Sequence, residues 1–477
     1  MFSSSKNIVI YGGSFHNSHG TNLHEHTSIN TSGFERLLQA ASPSAFHNSG
    51  ERFDPPRCHP KTRLKVLEDI SKWVDGTNDH HKSVMWVNGG AGVGKSAIAQ
   101  TIAERLAEDG RLLASYFFSR TDPSRNNINN LVASIAYQGI LYVPQIKEHI
   151  INAVEQNPLV FRLSLEAQFT SLITIPFRDL NRLEPISSTT SPWIIVLDGL
   201  DECQDHRAQI EVLNAIASSL RNSAGPFALL ILSRHEKDLS MAFSSGPMAQ
   251  LYNSVKLDDI YADDDIRFFL EDQFEELRKS HPLKTHLPSP WPLPGHIDRL
   301  VWKSSGQFIY ASTVIKYISS VRNRPDKRLE IILGLRLVDK ENPFAELDAL
   351  YTHIFSSVEA DKIGLVLDIL AFYMLTWSLP SISDAEKFLE FEPGDIESSL
   401  WDLGSIVQVA NSSIRILHAS LLDFLSQESR SKNFYIHAPV KHAEYARRYL
   451  EILKAHEDIW LSPVALYHLG EHCKMHC

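Results

Sequence analysis

Cysteine is scarce in this chain: Cys58, Cys203, Cys473 and Cys477 are the four among 477 residues. That is too few for a disulfide scaffold. A chain of this length can bury its cores without staples, so the count points to a reducing, cytoplasmic setting. Long apolar runs are missing as well. The most apolar window, Ile363 to Leu379, is shorter than the ~20 residues that span a bilayer and carries Asp368, so it reads as a buried helix and no membrane span is expected. The first residues lack an apolar leader with a small-residue cleavage site. An excess of basic charge is absent too: 46 Lys and Arg face 57 Asp and Glu, a net charge of −11. This balance leads to the expectation of no nucleic-acid partner. No repeat of period ~20–50 is found, which excludes a solenoid or propeller. What is present is ordinary for a folded protein, with 43% hydrophobic and 22% charged residues, and the length predicts about three domains.

Residues 1–52 are rich in Ser, His, Asn and Gly and read as a flexible segment. Within it, Asn7 to Tyr11, the turn Gly12-Gly13 and Ser14 to His16 have the pattern of a short β-hairpin. A turn-rich linker, Asp54 to Pro60, precedes an amphipathic helix over Thr62 to Val74. Strands and helices then alternate. Val84 to Val87, Leu112 to Phe118, Trp193 to Leu197 and Phe227 to Leu232 are apolar on both faces, and helical spacing runs through Ala97 to Leu106 and Ile128 to Leu141. Such strands belong to a parallel sheet covered by helices on both sides. After about Val255 strand signals fade. Helices are predicted over Asp263 to Lys279, Ile297 to Val321, Phe344 to Val358, Asp361 to Thr376, Asp384 to Leu389 and His442 to Leu453, with a proline-rich linker, Leu287 to Pro294, between the first two.

The chemistry is concentrated in Gly89-Gly90-Ala91-Gly92-Val93-Gly94-Lys95-Ser96, which fits G-x-x-x-x-G-K-[ST] in full and lies between an apolar strand and a helix opening at Ala97. Glycines let consecutive N–H groups face inward as an anion nest, and the helix aims its positive end at the same point. Lys95 then supplies a point charge to the β- and γ-phosphates, and the Ser96 hydroxyl is a ligand for Mg2+. A second acid should end a neighbouring buried strand, and Asp198 does so, as the second Mg2+ ligand. Asp201 and Glu202 follow; they either accept a proton from an attacking water or form a solvated acidic loop. Leu229 to Ser233 ends in Arg234. In a P-loop sheet with an additional strand, that strand lies between the Lys95 and Asp198 strands, and Arg234 would sense the γ-phosphate unless it is a surface ion pair.

Together with Asp198-Gly199-Leu200-Asp201-Glu202, this P-loop resembles the NACHT group of signal-transducing P-loop NTPases, a branch of the STAND class that includes NOD-like receptors. The flanks Glu51-Arg52, Pro56 to Arg63, Trp86-Val87-Asn88, Phe117 to Arg120 and Ser233-Arg234 are similar to fungal NACHT proteins with a nephrocystin-like N-terminal module. The resemblance implies a NACHT domain over 53–255, a small helical domain over 256–335, a winged-helix domain over 336–430 and the start of a further helical region over 431–477. It implies ADP locking these together, ATP exchange opening and oligomerising the chain, a downstream protein partner, and a role in fungal immunity or self/non-self signalling. Asp201 and Glu202 match the family's catalytic acids and Arg234 its sensor arginine. Thr62 and Arg63 match the segment closing over the nucleotide, and His418 the winged-helix histidine that reaches the ADP phosphate, or else a satisfied core histidine. Two positions depart from the pattern: Ala419 stands where relatives often carry Asp, and Phe308 near where many have a proline beside adenine.

The expected fold is therefore α/β, a parallel P-loop sheet flanked by helices and followed by all-helical and winged-helix domains. The expected function is a switch driven by ATP/ADP with Mg2+ and slow hydrolysis. ATP is preferred to GTP because no Asn-Lys-x-Asp run is present. A fast mechanochemical ATPase of the AAA+ type and a non-hydrolysing adaptor with a relic site are the alternatives. His468, His472 and His476, with Cys473 and Cys477, share a helical face as a candidate metal cluster, and Asp263-Asp264-Asp265 reads as a helix start.

Overall fold

The computed structural model describes residues 32–455 except 53, 77–81, 121, 184–191, 223–226, 261, 322, 335–343, 377–380, 405, 411 and 417. The hairpin read over Asn7 to His16 and the terminal His/Cys cluster lie outside the described residues.

Five strands form a parallel sheet: β1 (Val84–Asn88), β2 (Leu112–Phe117), β3 (Trp193–Asp198), β4 (Phe227–Ser233) and β5 (Tyr252–Lys256), in the order β2-β3-β4-β1-β5. β4 therefore lies between the Lys95 and Asp198 strands, the arrangement expected of an additional-strand P-loop sheet. β1, β2 and β4 are buried at every position, because helices cover both faces. One face packs Trp86, Tyr116, Ile195, Leu197 and Ile231 against the helices Leu131–Tyr142 and His206–Asn222. The other packs Val87, Val196 and Leu232 against Leu64–Val74 and Lys95–Glu108. β5 pairs on one side alone, and its polar residues leave it half exposed.

Residues 32–52 are not the flexible segment expected over 1–52. Ser32 caps the helix Gly33–Ala40 with a capping box, Leu37 and Ala45 enter the sheet core, and Ser42 N–H donates to Ser134 Oγ at 2.8 Å. Buried partners, not composition, decide the outcome here.

Beyond β5 the described residues are mainly helical. The single helix expected over Ile297 to Val321 is two, Pro294–Ser304 and Phe308–Ile318, split where Ser305 and Gly306 adopt φ of 46° and 74°. A left-handed pair ends a helix and redirects the chain. A short antiparallel hairpin, β6 (Val407–Ala410) with β7 (Ser413–Ile416), leads into the helix Ala419–Leu425. Among the described residues no helix is long and apolar enough to cross a membrane.

Candidate functional site

A cavity of about 600 Å³ opens at the C-terminal edge of the sheet, where doubly wound folds place ligands. It is lined by Thr62, Arg63, Ala91, Gly92, Gly94, Lys95, Ser96, Ala97, Asp198, Asp201, Glu202, Arg234 and His418. Three other sequence-predicted residues stand back from it. Gly89 and Gly90 form the outer side of the loop, where Gly90 N–H donates to the Asp258 carboxylate at 3.0 and 3.1 Å. The Val93 side chain is buried in the core below.

The turn of the loop depends on Gly92, at φ 77°. Ile309 N–H donates to Gly92 O at 3.1 Å, and a Cβ on Gly92 would run into the Ile309 side chain. Gly92→Ala is therefore expected to lower stability, by about 1–2 kcal/mol for the left-handed backbone alone. Adding Ile309→Ala should recover the steric part of the loss. A double-mutant cycle read by thermal unfolding checks this, and additive losses would refute it.

Lys95 Nζ donates to Gly89 O at 2.8 Å and Gly90 O at 2.7 Å. Burial lowers its pKa, while Asp201, Asp198 and Glu202 draw it back up. Across the cavity floor burial pushes the Asp198 carboxyl up to about 6, against a bond from the Ser96 hydroxyl and the charges of Arg52 and Lys95. Asp198 Oδ1 is buried without a partner. A serine hydroxyl beside a buried carboxylate with an unmet oxygen is an all-oxygen set that fits a hard divalent cation such as Mg2+.

The two later acids take different places. Asp201, its side chain 2% exposed, accepts Arg234 N–H at 2.9 Å and pairs with Arg234 Nε at 3.2 Å. Glu202 accepts only a backbone bond from Arg120 N–H at 3.2 Å among the bonds described, and burial next to Asp201 and Asp198 pushes its carboxyl up to about 7. Glu202 is thus poised near neutrality while Asp201 is committed to Arg234. Burial opposes the charge of Arg234, yet Asp423 and Asp201 outweigh it and raise its pKa.

At the other end, Arg63 is buried with its Nη2 on Val93 O at 2.8 Å and its guanidinium 5.0 Å above the Phe308 ring. Its Nε and Nη1 have no partner. His418 also faces the cavity, with Nε2 buried and unpartnered; burial and Lys316 lower its pKa to about 3, so the ring is neutral. It is not a satisfied core histidine. Unmet buried donors and acceptors of this kind are costly unless a ligand completes them.

Sequence reasoning missed three contributors. The presumed linker supplies Pro56, Arg57, Cys58 and His59 to the cavity wall. Arg52 stacks 3.6 Å over Phe117 and donates to Gln100 Oε1 at 2.8 Å beside Asp198. Asp423 pairs with both Arg120 and Arg234. Arg120 lies in one of the stretches that carry the resemblance, but nothing local in the sequence joins it to Asp423.

A family model described as nephrocystin 3, N-terminal, matches residues 62–234, about a third of the chain. No curated protein matches the sequence. Among solved structures the chain is similar to the Aeropyrum pernix ORC1 protein in complex with DNA, at 13% identity over 77% of this chain and 92% of that one, with a TM-score of 0.34. It is also similar to Drosophila ORC bound to GC-rich DNA and Cdc6, at 10% identity over 98% and 78%, TM-score 0.26. Drosophila ORC bound to AT-rich DNA and Cdc6 gives 12% over 99% and 78%, TM-score 0.29. These proteins carry DNA, so the exclusion of a nucleic-acid partner drawn above is withdrawn. Its physical weakness is that a charge summed over the chain does not describe any local surface.

Proposed function

We propose that this protein is a nucleotide-dependent switch of the NOD-like receptor type, which binds ATP or ADP with Mg2+ and hydrolyses ATP slowly. The observation that carries the reading is the convergence of Lys95, Ser96, the unmet Asp198 oxygen and the unpartnered His418 Nε2 on one cavity. That cavity is walled on one side by the sheet and on the other by the helical region, so its occupant contacts both. The NACHT-like motifs, and the family-model match over 62–234, support it.

In this reading the P-loop amides and Lys95 hold the phosphates, Ser96 and Asp198 hold Mg2+, and Arg63 with Phe308 faces the base end. Mg2+ supplies neutralisation of phosphate charge when bound. Glu202 accepts the proton of the attacking water, and Asp201 orients Arg234. His418, neutral, donates its ring N–H to the bound phosphate from the helical side. A ligand that bridges two modules stabilises the arrangement it fits, so exchange of one nucleotide for the other shifts the balance toward an open, self-associating form. The modules correspond to 53–255, 256–335 and 336–430, and the downstream partner belongs to fungal self/non-self signalling.

The test is to denature the purified protein, identify any released nucleotide, and size the intact protein with ADP and with a non-hydrolysable ATP analogue. ADP in the released fraction, and a larger species with the analogue only, are expected. Nucleotide-free protein that binds neither would overturn the reading. Turnover above about 1 s⁻¹ would favour a mechanochemical ATPase instead. Duplex DNA as a further arm of the sizing experiment examines nucleic-acid binding directly.

A further inference from the structure

Arg120 follows β2 and Arg234 follows β4, so the two flank the tip of β3, which carries Asp198. Both line the cavity. Their guanidinium groups converge on one carboxylate, Asp423: Arg120 Nη1 lies 3.2 Å from Oδ1 and Arg234 Nη1 lies 2.9 Å from Oδ2. Asp423 belongs to the helix Ala419–Leu425, 303 residues from Arg120. On that same stretch His418, Ser420 and Leu422 line the cavity.

We infer that Arg120 and Arg234 form the seat of the terminal phosphate of a nucleoside triphosphate, and that Asp423 occupies this seat as an internal competitor. The inference rests on the reading of the cavity as a nucleotide site. Two guanidinium groups that each take one oxygen of a carboxylate present the donors that a phosphoryl group also takes. The charge arithmetic forbids both at once. Asp198, Asp201 and Glu202 already share this end, where burial first and the charges of Asp201 and Asp198 second raise Glu202, and a fourth carboxylate is held there by the two arginines. A terminal phosphate arriving at the same donors would meet Asp423 at contact range, where like charges repel. A diphosphate ends one phosphate short and leaves Asp423 in place. Arg120, on the side of the cleft opposite Arg234, thereby becomes a specificity-determining residue for triphosphate over diphosphate. Displacing Asp423 also releases the helix Ala419–Leu425 from the tip of the sheet, which couples the third phosphate to the helical region.

The test uses the full chain and isothermal titration with ADP and with a non-hydrolysable ATP analogue. Asp423→Asn keeps the side chain's shape and removes its charge. It should tighten the analogue about tenfold, within the usual range of coupling between sites, and move ADP less than about twofold. Arg120→Gln, at a side chain 36% exposed and so of little consequence for folding, should weaken the analogue about tenfold and leave ADP unchanged. If Asp423→Asn does not fold, Arg120→Gln carries the test alone. An analogue-to-ADP affinity ratio that stays within about twofold of wild type in the folded variants overturns the inference while nucleotide binding stands. Wild-type protein that binds neither nucleotide overturns both the inference and the reading beneath it.

Discussion

Lys95→Ala is expected to leave a folded protein that has lost its affinity for ATP and ADP by about 10²–10⁴-fold. Its ammonium sits in the cavity, held by two loop carbonyls at 2.8 and 2.7 Å, with no acid bonded to it among the described contacts. In the proposed complex it exchanges those neutral acceptors for phosphoryl oxygens. Each charge-assisted bond contributes about 1.5–3 kcal/mol, so two contribute about 3–6 kcal/mol, which is the affinity range stated. The fold has less to lose. The alanine leaves the glycine carbonyls facing a cavity that water fills, and no apolar contact of the core depends on the ammonium. Three acids, Asp198, Asp201 and Glu202, lose a nearby cation, so their mutual repulsion rises. Removing an ammonium that burial disfavours opposes that rise, so thermal stability is expected to change by about 1 kcal/mol or less. Titration with a fluorescent ATP analogue, with circular dichroism as the folding control, decides the matter. Affinity within tenfold of wild type in a folded variant would mean that Lys95 does not touch phosphate.

The parts of this site that the sequence disclosed are those whose neighbours in space are also neighbours in the chain. Gly89 to Ser96 is one continuous strand–loop–helix unit, and β1, β3 and β4 announce themselves because burial on both faces demands unbroken apolar runs. Even the position of β4 between β1 and β3 is within reach, since an additional-strand P-loop sheet puts the strand ending in Arg234 between the Lys95 and Asp198 strands. β5 was not legible: paired on one side alone, Tyr252–Lys256 needs no continuous apolar pattern. The break at Ser305-Gly306 was hidden because the helical spacing continues in phase across it, although it is what brings Phe308 and Ile309 onto the loop. The wall built from Pro56 to His59 reads locally as turn chemistry, and its second use appears only once the helix Asp263–Ser280 packs beside it, with His59 Nε2 2.9 Å from Asp272 Oδ2. Asp423 and its two arginines come from three separate elements, and no spacing rule links them.

Glu202→Gln should abolish most hydrolysis while sparing binding, and the reason lies in how differently the two adjacent acids are held. Asp201 has both oxygens on Arg234, one through the backbone N–H and one through Nε. Those two contacts commit the carboxylate to holding Arg234 in place. Glu202 accepts Arg120 N–H through Oε2, and its carboxyl is pushed up to about 7 by burial and by the charges of Asp201 and Asp198. Proton transfer by a positioned base contributes about 10²–10⁴-fold, so the amide should slow turnover by at least about 100-fold. Nucleotide affinity should change less than about threefold, because neither P-loop nor Mg2+ ligands are touched. The pH dependence carries the sharper signature. Glu202 must be ionised to accept a proton, so wild-type turnover rises with pH through a midpoint near 7, and the variant's residual rate does not. Stability runs the opposite way. A carboxyl whose folded pKa lies above its unfolded value holds a proton in the folded state that the unfolded chain has already lost. Its contribution to stability is therefore present at low pH and fades as pH rises through 7. Glu202→Gln removes that titration, so the variant gains stability relative to wild type at pH 8 and not at pH 5. Turnover profiles of both proteins, alongside melting curves at the two pH values, test the pair of opposed slopes. A wild-type rate flat across 6–8, or a variant that hydrolyses within tenfold of wild type, would pass the role of base to another group.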